Sequence, residues 1–224
     1  MEHSNKPLYF YIDDWGLSKE VNLATLTLVK RGVVRGVSLL SDSPYVDEGL
    51  DELLAFKDVK IGLHFNLTQS SSHWTKFLKH PSRIQNEIHR QFETLKERTK
   101  RINYIDGHHH IHLLPVVNQY VRSYAALNNV PIRVIDDIGH LGSFVLSKIY
   151  TLLPNSGSHF VCSYLIPSDL KIKSKFWAKC LRSREKPLVI HVATESIDQR
   201  PLSSFERFRH QQYIEIMDYL NEQF

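Results

Sequence analysis

Short apolar runs that end in an acid or a histidine constrain this chain more than any other feature. Leu8 to Ile12 runs into Asp13-Asp14, Val59 to His64 closes on its own histidine, Pro131 to Ile135 meets Asp136-Asp137, and Leu188 to Val192 contains His191. Runs of this length, rich in β-branched and aromatic residues, read as buried strands, joined by Val37 to Leu40 and Phe160 to Ile166. Helical spacing fills the intervals. Ser18 reads as an N-cap ahead of Glu20, Val21, Ala24, Leu28 and Val29, and Gly32 stops that helix. Val46 to Phe56, Ile84 to Lys100, Pro115 to Leu127, Leu141 to Leu153, Leu170 to Leu181 and Phe205 to Phe224 are the other expected helices, with Pro115 suited to a first turn. About seven mostly parallel strands alternating with helices imply an α/β sheet, open or closed into a barrel. The polar residues then collect at the carboxyl ends of the strands, the rim where such folds place their active sites.

The segment Asn103 to Pro115 holds four of the thirteen histidines. Extended, it would put Tyr104, Asp106, His108, His110 and His112 on one face and Ile105, His109 and Ile111 on the other. A buried face of imidazoles and a carboxylate needs hydrogen-bond partners or a metal, because an unpaired polar group costs several kcal/mol, roughly, when desolvated. Leu67 to Arg83, with Trp74 and Phe77, has no clean period and is expected to be a long loop over one end of the fold.

With 224 residues and 42% hydrophobic content, the chain can build one α/β domain over residues 1–224. A net charge of +4 describes a mildly basic protein and does not by itself imply nucleic acid. The basic stretches Lys96 to Arg101 and Lys171 to Arg184 read as solvated helix faces. Cys162 and Cys180 are too few for a disulfide framework, and no apolar run is long enough for a signal segment or a membrane span, so the reducing cytoplasm is the expected compartment. A homo-oligomer is compatible with the sequence.

One aspartate and two histidines drawn from three strand ends would make a three-ligand site with open positions, the arrangement of a hydrolytic rather than a structural metal. Such chemistry also needs a base and an acid nearby. Three segments make the pattern specific: Tyr11-Ile12-Asp13-Asp14-Trp15-Gly16-Leu17-Ser18, Ile61-Gly62-Leu63-His64-Phe65-Asn66-Leu67-Thr68, and Asp106-Gly107-His108-His109-His110-Ile111-His112-Leu113-Leu114-Pro115. Together, and in this order, they resemble the YdjC-like (ChbG/HpnK) carbohydrate deacetylases. The resemblance implies a distorted (β/α) barrel of about seven strands related to polysaccharide deacetylases. It also implies removal of acetyl groups from N-acetylated sugars with one divalent metal ion.

Carried over by position, the resemblance implies that Asp14, His64 and His108 bind the metal and that Asp13 is the general base. His191 falls where the family has a histidine able to protonate the leaving amine. His110 would line the pocket or contact substrate, His112 would also belong to the pocket, and Asp106 could orient a ligand imidazole. Trp15 stands where phenylalanine is usual and would shape the pocket wall. Val192-Ala193-Thr194-Glu195 replaces a common proline-containing turn after His191. Arg133 would point inward to support Asp13 or reach substrate, and Trp74 would stack on a sugar ring.

Blander readings stand beside these. Asp13-Asp14 could cap a helix, His191 could be a core histidine bonded to a carbonyl, and Asp136-Asp137 could open a loop. Other functions to weigh are a two-metal phosphoesterase or another amidohydrolase on a similar barrel, and a non-catalytic module binding an anion. The substrate expected is a small N-acetylated sugar or oligosaccharide, free or lipid-linked, with no nucleic-acid partner. Two imidazoles and a carboxylate suit zinc, whereas the resemblance leans towards magnesium.

Overall fold

The computed structural model describes residues 9–67, 81–135, 158–164, 187–195 and 208–222. Seven parallel strands close into a barrel in sequence order: β1 (Phe10–Trp15), β2 (Val34–Leu39), β3 (Lys60–Phe65), β4 (Tyr104–Gly107), β5 (Ile132–Ile135), β6 (His159–Tyr164) and β7 (Leu188–Ile190). Closure comes from β7 pairing with β1, with Tyr11 opposite Val189 and Ile12 opposite Ile190. The described helices are α1 (Lys19–Lys30), α2 (Leu50–Ala55), α3 (Pro81–Thr99), α4 (Pro115–Leu127) and α5 (Phe208–Glu222). The expected α/β barrel is the observed one. The expected helices over Leu141 to Leu153 and Leu170 to Leu181, the loop with Trp74 and Phe77, and Asp136-Asp137 lie outside the described residues.

The strands alternate as a period of two requires. Outward residues such as Ile12, Val37, Ile61, Leu63, Ile105 and Ile190 are buried against the helices, where they meet Leu28, Ile88, Val117 and Val121. Each such side chain contributes about 1.5–3 kcal/mol on burial. Inward residues fill the barrel. At its floor Tyr104 packs edge to face on both Tyr11 and Phe160, and Tyr11 meets Phe160 at a tilt, with ring centroids 5.3–5.5 Å apart. Gly36 and Gly62 admit these rings, since a Cβ at Gly62 would collide with Tyr104 and one at Gly36 with Tyr11.

Local signals place the helix ends. Ser18 caps α1 as its sequence implies, its hydroxyl accepting from the Val21 N–H at 3.3 Å. Helix α4 begins at Pro115 as expected. Two breaks in regularity matter more than any of this. In β1 the register runs Ile12 to Val37 and then Trp15 to Leu39, so Asp13 and Asp14 together face only Ser38. This is a β-bulge, and Asp14 takes the left-handed backbone that it needs, with φ 69°.

The second break corrects the expectation of one long histidine-bearing strand. Strand β4 stops at Gly107, and His108–Leu113 turns into a short 3-10 segment with His109 and His110 at φ 52° and 57°. Two successive non-glycine residues in this region cost about 1–3 kcal/mol each and persist only where the surroundings dictate them. The alternating face therefore ends at Asp106.

Candidate active site

The bulge explains how two neighbouring aspartates reach one mouth. Ordinary alternation would send Asp13 inward and Asp14 outward, but the extra residue lets both carboxylates enter the barrel end, each fully buried. The same step turns Trp15 to the outer face. There it is fully buried, its indole N–H donating to the Val46 carbonyl at 2.8 Å, so Trp15 is a core residue and not the pocket wall expected from sequence.

Asp14 is the meeting point of the cluster. Its Oδ1 lies 3.1 Å from His64 Nε2 and 2.7 Å from His108 Nδ1. Its Oδ2 accepts from the Arg209 guanidinium at 2.6 Å. Burial alone would raise this carboxyl, but Arg209 and His108 outweigh it and hold Asp14 well below the usual carboxylate range. Behind His64 stands Asp106, whose Oδ1 is 2.6 Å from His64 Nδ1 and whose Oδ2 accepts from Ser38 Oγ at 2.5 Å. Burial works to lower His64, yet Asp106 and Asp13 override it and push the imidazole up to about 10.

Asp13 is held by both prongs of Arg133, each at 2.6 Å, and the same guanidinium reaches Asp106 Oδ2 at 2.9 Å. Burial opposes ionisation of Asp13, but Arg133 prevails and its carboxyl sits far below the ordinary value. Arg133 is itself fully buried, which corrects its expected contact with substrate. It lies beneath the carboxylates and orients them. His191 Nε2 is 3.8 Å from Asp13 Oδ2 and 3.7 Å from Asp14 Oδ2, with its pKa pushed down to about 3, chiefly by burial.

The remaining histidines separate into rim and support. His110 is half-buried, near enough to Asp13 and His191 to feel their charge, and burial lowers it to about 3. The partly exposed His108 packs against the exposed His109 with ring centroids 4.0 Å apart and planes inclined by 49°. His112, expected in the pocket, is instead fully buried, with Nε2 2.9 Å from the Arg133 carbonyl, so it donates there and braces β5. Trp74 lies outside the described residues.

Among the described residues, two groups of side chains bring ligand atoms within 4.8 Å of one another: Asp14, His64 and His108, and Asp13, His64 and Asp106. The second is a poor cation site because Arg133 already spans both of its carboxylates. The first fits a divalent ion. Ligand atoms bound to one ion at about 2.1 Å stand about 3 Å apart, and Asp14 Oδ1 has that separation from both imidazole nitrogens. The bond from Asp106 to His64 Nδ1 leaves Nε2 as the nitrogen facing the site, a support that metal-bound histidines usually have.

Sequence reasoning missed Arg209, Gln212 and Ser38. Arg209 and Gln212 are polar positions on a stripe of α5 that continues through Ile216 and Leu220, all buried. A charge on an otherwise buried helical stripe was the available signal.

Residues 7–159 match the family model described as YdjC-like protein. Over 145 residues the chain is 26% identical to the carbohydrate deacetylase of Clostridium beijerinckii, a match covering 57% of this chain and 59% of that protein. Over 150 residues it is 25% identical to the chitooligosaccharide deacetylase of Yersinia pestis, covering 58% and 59% respectively. The match thus spans about 59% of the length of these curated relatives. Among solved structures, a proposed cellobiose-phosphate cleavage protein from Enterococcus faecalis V583 superposes with a TM-score of 0.69 at 17% identity, covering 98% of this chain and 95% of that one. That likeness is one of fold.

Proposed function

This chain belongs to the YdjC-like family, and from that premise we propose that it hydrolyses the acetamide of an N-acetylated sugar at the mouth of its barrel, with one divalent cation held by Asp14, His64 and His108. The observation that carries the reading is the convergence of two imidazole nitrogens on Asp14 Oδ1 from three separate strand ends. The deacetylases among its curated relatives support the choice of bond and substrate class.

A divalent ion there would polarise the acetamide carbonyl and lower the pKa of water. The chain's own groups supply the proton traffic. Asp13, kept ionised by Arg133, takes a proton from the attacking water. His191 Nε2, 3.8 Å from Asp13 Oδ2, is placed to carry that proton on to the amine as the carbon–nitrogen bond breaks. The products are acetate and a free amino sugar. His110, at the half-buried rim, is the group we assign to substrate contact. A two-metal phosphoesterase is disfavoured because a second ion would have to displace the Arg133 guanidinium.

The test is an acetate-release screen over N-acetylated mono- and oligosaccharides with magnesium, zinc, manganese or cobalt. Release is expected only with an ion present, and Asp14→Ala and His108→Ala should each lower it at least about a thousandfold, equivalent to about 4 kcal/mol. Full release by either variant would sink the assignment.

A further inference from the structure

The C-terminal helix reaches the site through two residues. Arg209, in the first turn of α5, is 2% exposed and donates to Asp14 Oδ2 at 2.6 Å across 195 residues of sequence. Three residues on, and so on the same helical face, the Gln212 side-chain oxygen accepts from the His191 backbone N–H at 2.9 Å. Ile216 and Leu220 continue that face into the apolar layer and anchor it. One helix therefore grips the ends of β1 and β7, the two strands whose pairing closes the barrel.

We propose that Arg209 is a positioning residue that gives the two oxygens of Asp14 separate tasks, and this inference rests on the cation site proposed above. Oδ2 is held by the guanidinium, so Oδ1 alone is presented to His64 and His108. Without that hold, the carboxylate can rotate about its χ2 bond and offer either oxygen, or both, to a cation. The buried charge of Arg209 acts in the opposite direction by repelling a cation. The two effects have opposite signs on metal affinity, which makes the proposal decidable. Groups that orient a ligand in this way typically account for about 10- to 100-fold in affinity.

The experiment is cobalt(II) titration of purified full-length protein, followed by calorimetry and by visible absorption, which reports the ligand geometry around the ion. R209A is expected to raise the cobalt Kd by about 10- to 100-fold and to alter the absorption spectrum. R209K, which keeps the charge but not the planar fork, should fall between R209A and the wild type. I216A loosens the helix anchor without touching Asp14, so it should lower the unfolding midpoint and leave the spectrum unchanged. Wild-type Kd and spectrum in R209A, or tighter binding, would overturn the positioning role. Should R209A not fold, wild-type values in R209K overturn it equally. A wild-type protein that binds no cobalt would defeat the cation site itself, a result distinct from any of these.

Discussion

The floor and the mouth of this barrel are built from the same strands, two residues apart. On β1 and β4 the inward residues run from Tyr11 and Tyr104 at the floor to Asp13 and Asp106 at the mouth, on β3 from Gly62 to His64, and at β7 from Val189 to His191 just past the strand's end. The floor is a dry aromatic layer stabilised by burial and ring packing. The mouth is a network in which three buried carboxylates are answered by two buried arginines. A strand's period of two lets one element supply both layers, so each can be altered with the other left in place. Floor and mouth also respond differently to damage: a crowded floor can yield slightly, whereas a charge left unpaired at the mouth has nowhere to go.

The largest effect is expected from Arg133→Leu, which leaves Asp13 and Asp106 buried with no guanidinium between them. Breaking such a pair from one side costs about 3–5 kcal/mol, read as a lower midpoint in urea unfolding, and an unchanged midpoint would mean that the network is not what holds the mouth together. Gly62→Ala probes the floor. Its new methyl group must displace the Tyr104 ring, an overpacking worth about 1–3 kcal/mol, while cobalt binding at the mouth should persist.

Acid acts through the buried histidines. His112, the buried brace on β5, has its pKa pushed down by burial from 6.5 to about 3. Between those values the unfolded chain binds a proton that the folded chain refuses, so its contribution to stability is complete above the ordinary histidine pKa and is lost as the pH falls towards 3. The slope is at most about 1.4 kcal/mol per pH unit from this residue. Urea titrations at several pH values should show it in the wild type and a flatter profile in His112→Asn. Equal slopes would remove His112 from the acid response.

Hydrophobic period marks the described strands and helices, and the capping Ser18 and the first-turn Pro115 mark the starts of α1 and α4, because these depend on neighbours in sequence. The pairing of Asp106 with His64 was also foreseeable, since both sit on inward positions of adjacent strands. Trp15 was not. Its orientation depends on the bulge at Asp13-Asp14, a register fact that only the partner strand β2 reveals. Alternation puts His110 and His112 on one strand face, but β4 ends at Gly107 and a left-handed pair, His109 and His110, follows it. Arg209 escaped because its partner is 195 residues away.

The seam between β1 and β7 has a consequence for how the molecule is made. During synthesis β1 emerges early and must wait with one edge unpaired until β7 exists, and Asp14 waits longer still for its arginine. Contacts this distant in sequence are slow to form. The nascent barrel is thus an open sheet whose first strand can be captured by another chain. Pairing of β7 with β1 converts that exposed edge into a sealed ring, and the helix that follows then brings Arg209 to Asp14.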